Sequence, residues 1–409
     1  MISSLGMGLT IALASVLWVE VVRDLYHVLS HLWQPLYRLH IWHHKVFRPD
    51  LSVVSDTIYR RAHWYNDVPE SLVMLLLSIV PWQVAHSWQI SPQWTAWTGS
   101  IYTLGFLFGA IARGLGIPLI DELTDVTHRP GEFTNLPSRW FVNRPYHWRH
   151  HFDNQDAYFS GTLTSIDKLM GTALSLKNKR IAVTGASGTL GRALLTQLHL
   201  AGAKVTALTS SESEISLNIS GEEVGIKTVA WQVGQESELL DCLDKIDILI
   251  LNHGVNVHQQ RDESAIALSY EINTFSALRL MELFFQTIKS DRDRIRKEVW
   301  VNTSEAEVNP AFSPLYELSK RAIGNLVTLR RWDAPCVVRK LILGPFKSKL
   351  NPLGVMSADW VAKQIVNLAR RDIRNIIVTI NPLTWILFPI KEFFVSSYFR
   401  FFSSSNKPS

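Results

Sequence analysis

Histidine side chains at regular spacing form the first group of residues that could do chemistry. Fourteen histidines are present, and eleven of them lie by residue 151. His27 and His31 are four residues apart, so on a helix they share one face. Two further groups follow the pattern HxxHH, namely His40, His43 and His44, and then His147, His150 and His151. Imidazole binds Fe, Zn, Cu and Ni, so these spacings predict a metal centre without identifying the metal.

A second group of residues has the types needed to bind a nucleotide and to move a proton. A glycine-rich segment follows a predicted strand and opens a predicted helix, as in a pyrophosphate-binding turn; it contains Gly185, Ser187, Gly188 and Gly191. Further along the chain come Asn252, Gly254, Asn273, Ser304, Tyr316 and Lys320. A phenol with a pKa of about 10 is a poor base, and a lysine four residues along a helix lowers that pKa. This order of residues indicates alcohol and carbonyl chemistry with a bound dinucleotide.

Composition limits the classes of protein that can apply. The chain has 409 residues, enough for two cores, and a hydrophobic fraction of 47%. Its two cysteines, Cys242 and Cys336, cannot form a four-thiolate cluster, so a redox metal must be held by histidine or carboxylate. The net charge of +5 is accompanied by no nucleic-acid-binding motif, and we expect no nucleic-acid partner.

Apolar runs in the first half must position the histidines. They cover residues 5–22, 72–85 and 95–120, and the last two could form a hairpin that enters and leaves a bilayer. Basic residues cluster outside these runs, on the segments that carry the histidines. Because Lys and Arg favour the cytoplasmic side, we expect a multi-pass integral membrane protein with its histidines and its nucleotide-binding half facing the cytoplasm.

The second half alternates predicted strands and helices. Strands are predicted at 180–184, 204–209, 228–233, 246–252, 299–304, 337–343 and 375–379. The expected fold class is therefore multidomain, with an all-α membrane histidine domain and an α/β Rossmann-type, doubly wound parallel sheet. The expected domains are 1–175 and 179–381, followed by an interfacial amphipathic tail at 382–409.

The first half resembles the sterol desaturase and fatty acid hydroxylase superfamily. Asp24 to His27 with His31, the two HxxHH groups, and Asp167 to Thr172 are similar to that superfamily's motifs. The resemblance implies two iron ions that activate O₂ for attack on a lipid C–H bond. It also implies a lipid substrate and an external electron donor, either a ferredoxin or a small cytochrome with its reductase. The implied ligands are His27, His31, His40, His43, His44, His63, His128, His147, His150 and His151.

The second half resembles the short-chain dehydrogenase/reductase family. The resemblance implies that Tyr316 is the acid/base, that Lys320 lowers its pKa, and that Ser304 polarises the carbonyl. Asn273 completes a proton relay, and Thr303 could replace Ser304 because the spacing to Tyr316 is one residue shorter than usual. The end of the second strand offers Thr209, Ser210 and Ser211, with no acid before Glu212, which favours NADP over NAD.

The two resemblances together predict a bifunctional lipid oxidoreductase. One half would hydroxylate or desaturate a lipid C–H bond, and the other would interconvert an alcohol and a carbonyl with NAD(P). Two alternatives stay open. One is a wax-type enzyme that forms aldehydes or hydrocarbons, and the other is a non-catalytic membrane protein that senses nucleotide.

Overall fold

The change of character along the sequence corresponds to two folded units in the computed structural model. The structure describes residues 2–211, 213–219 and 221–404. The first unit is Met1–Ala173 and the second is Leu174–Ser409. The boundary therefore falls two residues before the end of the expected first domain, 1–175.

The first unit is built from helices. α1 runs on through His27 and His31 to Leu32, far beyond the apolar run at 5–22, because no proline occurs before Pro35. Pro35 then lies in the first turn of α2, where its missing N–H costs nothing. The α-helices are α1 Ile2–Leu32, α2 Gln34–His44, α3 Asp56–Ala62, α4 Val68–Leu77, α5 Val80–Ser87, α6 Thr98–Leu115, α7 Ile120–Thr124, α8 Arg144–Phe152 and α9 Ser165–Met170.

Two helical segments of this unit are long and apolar enough to cross a membrane, judged by length and composition. They are Ser4–Leu32, with a mean hydropathy of 2.0, and Asp56–Ser87, with a mean hydropathy of 1.5. The second segment joins α3, a π-helical turn at His63–Asp67, α4 and α5. Less than a third of either segment's most apolar window is buried inside the protein.

The second unit is a doubly wound sheet with the strand order β3-β4-β2-β1-β5-β6-β7-β8. β1 pairs in parallel with β2 on one side and with β5 on the other, so the winding direction reverses between β1 and β5. Ligands of such sheets bind at the carboxyl ends of the strands on either side of this reversal. The strands are β1 Arg180–Thr184, β2 Lys204–Thr209, β3 Ile215–Ile219, β4 Glu222–Ala230, β5 Ile248–Leu251, β6 Glu298–Asn302, β7 Val337–Leu343 and β8 Asn375–Val378.

One strand was missed by the sequence patterns. β3 pairs antiparallel with β4 as a hairpin around Gly221, and β4 covers 222–230 in place of the expected 228–233. The exposed outer face of β4 carries charged residues, which hid its alternation. The strand expected at 299–304 starts one residue earlier and ends at Asn302, which leaves Thr303 and Ser304 in the following turn.

Helices cover both faces of the sheet and leave apolar cores on each side. They are α10 Thr189–Leu200, α11 Leu240–Asp244, α12 Glu263–Tyr270, α13 Ala277–Gln286, α14 Asp291–Arg296, α15 Pro314–Arg330, α16 Ala358–Arg370 and α17 Pro382–Phe402. α17 is the segment expected to form an interfacial tail. It packs against α15 as part of the second unit, and residues 405–409 lie outside the described residues.

Replacing Arg339 by leucine is expected to destabilise the second unit by about 3–5 kcal/mol. Arg339 is fully buried and contacts Glu298 at 2.8 Å and Asp372 at 2.7 Å, so its loss removes this buried cation from two buried carboxylates, of which Asp372 keeps a contact with Arg374 at 3.6 Å. Thermal unfolding of the full chain measures the effect. The control is Lys289→Met, which removes an exposed ion pair with Asp244 and should leave the melting temperature unchanged. Equal melting of both variants would contradict the prediction.

Candidate functional site

Nine of the ten expected metal ligands come together in two groups. The first contains His27, His31, His40, His44 and His150, and the second contains His43, His128, His147 and His151. Within each group the candidate ligand atoms all lie within 4.8 Å of one another. Helix geometry explains how the adjacent histidines separate. In α2, His40 and His44 are four residues apart and point to the first group, whereas His43 points to the second. In α8 the pair four residues apart, His147 and His151, points to the second group, and His150 points to the first.

The spacing of the ring nitrogens fits a bound metal ion. In the first group, His27 Nε2 lies 3.1 Å from His40 Nε2 and 3.0 Å from His150 Nε2. In the second, His151 Nε2 lies 3.0 Å from His43 Nε2 and 3.1 Å from His147 Nε2. Metal–nitrogen bonds of 2.0–2.1 Å separate neighbouring ligands by about 2.9 Å at right angles and about 3.3 Å at the tetrahedral angle. The observed Nε2–Nε2 distances lie between these two ligand–ligand separations.

Hydrogen bonds at the opposite ring nitrogens leave the Nε2 lone pairs bare. His27 Nδ1 donates to the Phe159 carbonyl at 2.6 Å, and His150 Nδ1 donates to the Ala157 carbonyl at 2.8 Å. His40 Nδ1 donates to the Asn66 side-chain oxygen at 2.9 Å. A neutral imidazole that donates from Nδ1 has no proton on Nε2. The unprotonated Nε2 atoms of His27, His40 and His150 therefore face one another, and their lone pairs repel unless a cation lies between them.

His63 is the expected ligand that the structure does not bring into either group. Its Nδ1 bonds Asp67 at 2.5 Å, and its ring packs edge-on against Tyr59. Asp67 also contacts Arg113 at 3.4 Å, which fixes the carboxylate and with it the ring of His63. The predicted set of ten ligands is therefore corrected to nine. The Nε2 atom of His63 is buried and has no hydrogen-bond partner among the described residues.

Asn66 and Asp125, which sequence reasoning missed, orient the candidate ligands together with Asp167 of the last motif. Asn66 holds His40, and the Asp125 carboxylate accepts from His128 Nδ1 at 2.6 Å. Asp167 accepts from the backbone of Phe159 at 2.9 Å and of Ser160 at 2.8 Å, and so positions the carbonyl that holds His27. A carboxylate or amide next to a liganding histidine is the expected signal. Asn66 is 26 residues from His40, so that signal is absent from the local sequence.

The glycine-rich turn of the second unit has the shape of a pyrophosphate cradle. Gly185 has a φ of +62°, and a Cβ there would lie 2.8 Å from the His253 Cα atom. A Cβ at Gly191 would lie 2.2 Å from the Gly185 carbonyl oxygen, so both positions need glycine. Gly188 precedes the first turn of α10, whose backbone N–H groups can receive a phosphate. The residues present therefore fit a dinucleotide.

A cavity of about 1770 Å³ joins this cradle to the predicted catalytic residues. Gly191 and Asn273 are not among its lining residues. Among the expected residues, its lining includes Gly185, Ser187, Gly188, Asn252, Gly254, Ser304, Tyr316 and Lys320. Thr209, Ser210 and Arg192 line the cavity at the end of β2, and Glu212 lies outside the described residues. Arg192 was not anticipated as a cavity residue. Its signal was its position directly after Gly191.

Ser304, and not Thr303, is the hydroxyl that faces Tyr316. Ser304 has a φ of +99°, a strained conformation for a residue with a side chain. Its hydroxyl accepts from the Ala306 backbone at 3.2 Å and forms a hydrogen bond with the Tyr316 side chain. Thr303 is fully buried and is absent from the cavity lining. The turn at Ser304 accounts for the short spacing to Tyr316.

Lys320 and Asn273 are fixed by buried hydrogen bonds. Lys320 Nζ donates to the Asn302 carbonyl at 2.9 Å, and burial lowers the pKa of Lys320 to about 8. Asn273 lies in a π-helical turn, Glu271–Ser276, where its side chain accepts from the Val255 N–H at 2.8 Å and donates to the Val255 carbonyl at 2.9 Å. A widened turn at a functional residue is typical of π-helical insertions.

The segment between β5 and α12 places His253 beside the nucleotide cradle. Its Nδ1 lies 2.8 Å from the Thr184 hydroxyl, and its ring meets Trp231 edge-on. Burial, followed by the charge of Lys320, lowers the pKa of His253 to about 3. The ring is therefore neutral at physiological pH, and it fills space in the wall without adding charge.

Comparison with known proteins identifies the family. A sequence model of the short chain dehydrogenase family matches residues 179–334. Over 404 residues the chain is 64% identical to the monoglucosyldiacylglycerol epimerase of Synechocystis sp., and the match covers 98% of both chains. The chain belongs to the family of this epimerase. Its second unit is a short-chain dehydrogenase domain, and the chain is an oxidoreductase-type enzyme.

More distant relatives share parts of the epimerase family's second unit. L-xylulose reductase of Bos taurus is 25% identical over 118 residues, which cover 27% of this chain and 47% of the reductase. A short chain dehydrogenase from Burkholderia cenocepacia, solved with NADP, is 18% identical with a TM-score of 0.44, and the match covers 56% of this chain and 100% of that one. One from Leptospira borgpetersenii, solved with NAD⁺, is 17% identical with a TM-score of 0.42 over 49% of this chain and 91% of that one.

In this member of the epimerase family, replacing Ser304 by alanine is expected to move the pH dependence of kcat/KM to higher pH. Burial raises the pKa of Tyr316, and in the free enzyme the hydrogen bond with Ser304 lowers it. Removing the hydrogen bond therefore raises that pKa further and shifts the limb that needs the phenolate upward. The pH profile of kcat/KM, which reports the free enzyme, measures the shift, and a reduced kcat/KM with an unmoved limb would contradict it.

Proposed function

We propose that this chain inverts one hydroxyl-bearing carbon in the glucosyl headgroup of a diacylglycerol lipid. The reaction would oxidise the alcohol to a ketone and then reduce the ketone from its other face. The observation that carries the proposal is the meeting of Ser304, Tyr316 and Lys320 with a dinucleotide cradle in one cavity. The name of the Synechocystis relative, which matches 98% of this chain, supplies the substrate class and the reaction.

The chain's own residues manage the proton of the reacting alcohol. Tyr316, as phenolate, takes the hydroxyl proton while the carbinol C–H bond breaks and a C=O bond forms. Ser304 donates a hydrogen bond to the substrate oxygen, and the Lys320 ammonium stabilises the phenolate. NAD(P), when bound, supplies hydride acceptance and return. In the second half the proton returns from Tyr316 to the oxygen, so the two halves cancel and no net oxidation results.

The preference for NADP is proposed from the end of β2. Ser210 and Arg192 line the cavity there, and the described residues at this strand end, 209–211, include no acid. Ser210→Asp is expected to weaken NADPH binding by about tenfold or more, because a carboxylate repels the 2′-phosphate. The same change should leave NADH binding equal or tighter, since the carboxylate accepts from the ribose hydroxyl. Fluorescence titration with both nucleotides measures it, and equal weakening of both would count against an NADP site.

A second function is proposed for the first unit, namely hydroxylation or desaturation of a lipid C–H bond at a dinuclear metal centre. The specific observation in its favour is the convergence of bare Nε2 atoms at metal-ligand spacing. Two iron ions, when bound, would supply oxygen activation, with electrons from a separate ferredoxin or small cytochrome with its reductase. The two groups of histidines would each hold one ion, and Asn66, Asp125 and Asp167 fix the orientation of the rings. This function extends the resemblance to the sterol desaturase and fatty acid hydroxylase superfamily.

The chain is also proposed to be an integral membrane protein with its histidines and its dehydrogenase unit on the cytoplasmic side. Two segments, Ser4–Leu32 and Asp56–Ser87, support this by length and composition. Basic residues outside the apolar runs support the orientation. A diacylglycerol lipid is the substrate class that such a placement serves.

Product analysis tests the leading proposal. The purified full chain is incubated in air with NADP⁺ and monoglucosyldiacylglycerol in detergent micelles, with and without chemically reduced ferredoxin, and the headgroup sugar is released and identified by chiral gas chromatography. A hexose other than glucose is expected. An unchanged glucose headgroup with oxidised acyl chains would favour the metal-centre function alone. Free aldehydes or hydrocarbons would favour the wax-type alternative, and nucleotide binding without any product would favour a sensor.

A further inference from the structure

α17 turns polar side chains toward the protein and apolar side chains outward, the reverse of a surface helix in a soluble protein. Its polar side points into the protein, where Glu392 is buried and accepts from Lys340 at 2.9 Å and contacts Arg331 at 3.1 Å. Lys391 also pairs with the buried Glu307. These ion pairs hold the helix firmly against the second unit.

The opposite side of α17 is exposed and apolar along the whole helix. Phe393 and Phe394 are about two-thirds exposed. The exposed apolar residues are Leu383, Trp385, Ile386, Leu387, Ile390, Phe393, Phe394, Tyr398, Phe401 and Phe402. A soluble surface rarely carries a contiguous apolar patch of this extent, and such patches mark contact with a partner or a membrane.

The mouth of the catalytic cavity carries a second set of exposed apolar side chains. Phe312 is 93% exposed and Leu353 is 89% exposed, and both line the cavity together with Val355. Ile380 and Asn381 also line it, and α17 begins at the next residue. The apolar face of α17 is therefore continuous along the chain with the rim of the cavity.

Charge and substrate chemistry select a bilayer as the occupant of this surface. Lys347 and Lys349 are exposed on the loop that carries Leu353, and lysines beside apolar side chains are attracted to anionic lipid. Trp and Phe side chains are favoured where an amphipathic helix lies in a membrane interface. Withdrawing two acyl chains into water would cost about 0.8 kcal/mol for each CH₂ group, so the headgroup must be bound while the chains stay in the membrane.

We infer that α17 and the cavity rim form one docking surface for an anionic lipid bilayer, through which the catalytic cavity receives a lipid headgroup at the membrane surface. The rim residues are Phe312, Leu353, Val355 and Ile380. This inference rests on the proposed glycolipid epimerisation, and it adds how the substrate reaches the site.

Depth-dependent quenching tests the docking itself. Leu353→Cys and Phe394→Cys are made in a Cys242→Ser background; Cys336 is retained because burial raises the pKa of its thiol and protects it. Each is labelled with the fluorophore NBD and reconstituted into phosphatidylcholine vesicles with phosphatidylglycerol, with or without nitroxide-labelled acyl chains. Leu200→Cys, exposed on α10, is the control. We expect quenching by lipid nitroxide at 353 and 394 and none at 200. The inference is overturned if the labels at 353 and 394 show the same water-exposed emission as the control. It is also overturned if their emission is blue-shifted without quenching by lipid nitroxide, as contact with a second copy of the chain would produce.

Activity on two substrates separates this inference from the proposed function. Phe393→Asp combined with Phe394→Asp should lower kcat/KM for long-chain glucosyl lipid in vesicles by about tenfold or more, because two aromatic side chains that insert into the bilayer are replaced by carboxylates. Turnover of a water-soluble dihexanoyl glucosyl lipid should stay as in the wild type. Equal loss on both substrates overturns the inference. Wild-type inactivity on both would refute the epimerase proposal, and the quenching result would still decide the docking.

Discussion

Replacing Tyr316 by phenylalanine is expected to lower kcat for headgroup epimerisation by about 10²–10⁴-fold, the range that general acid–base catalysis contributes. Tyr316 lines the cavity with Ser304 and Lys320, and it is the group in that set that can take and return a hydroxyl proton. Removing one oxygen leaves the ring and its packing in place. NADPH binding, measured by fluorescence titration, should therefore change little, and the loss should fall on kcat.

The matched control is Tyr270→Phe. Tyr270 lies on α12, its ring is tilted at 35° to that of Phe275, and it is absent from the cavity lining, so its hydroxyl should not affect kcat. A Tyr316→Phe enzyme that keeps wild-type kcat would contradict the assignment of Tyr316. Loss of nucleotide binding in that variant would instead indicate a structural role for the hydroxyl.

Replacing His150 by alanine and, separately, His151 by alanine is expected to lower the metal content of the full chain from two ions to one in each case. The two residues are neighbours in α8 but belong to different groups of ligands. The double variant should hold none. Metal analysis of protein purified after iron loading measures the stoichiometry, and it needs no assay of activity.

His86→Ala is the control for these variants. His86 is the last residue but one of the second candidate span, bonds Gln93 at 3.1 Å and belongs to neither ligand group. It should retain two ions. If both ions are lost together in the His150 and His151 variants, the sites are not independent. If neither variant loses an ion, the histidine groups do not bind metal.

Much of the fold could be predicted from the sequence because its patterns are local. The glycine-rich turn, the buried β-strands 180–184, 204–209 and 337–343, and the i, i+4 histidine pairs each specify geometry within a few residues. The bounds of α1 were predictable only in part. The apolar pattern stops near residue 22, but the absence of proline lets the helix continue to Leu32 and carry His27 and His31.

What could not be predicted depends on distant parts of the chain. The edge strand β3 is only five residues long, and although Ile215, Leu217 and Ile219 alternate, its pairing with β4 depends on the turn at Gly221. Asn66 reaches His40 from another helix, and His63 is drawn away by Asp67 and Arg113. The strained turn that brings Ser304 to Tyr316 also leaves no pattern in the sequence.

The reaction outcome was not anticipated either, for a chemical reason. Oxidation of an alcohol, reduction of a ketone and epimerisation all use the same serine, tyrosine and lysine. In net oxidation or net reduction the hydride passes once between substrate and cofactor. In epimerisation the ketone stays in the site and presents its opposite face before the hydride returns. No residue type records that choice, so epimerisation was absent from the sequence-based expectations, and it entered through the Synechocystis relative.

Isotope transfer within one turnover tests the central claim most directly. The full chain is given monoglucosyldiacylglycerol carrying deuterium at every carbinol carbon of the glucose ring, with unlabelled NADP⁺ in ordinary water. We predict a product sugar that is inverted at one carbon, retains deuterium at that carbon, and forms with no net formation of NADPH. An inverted carbon that carries solvent hydrogen, or a headgroup that is not inverted at all, would contradict it.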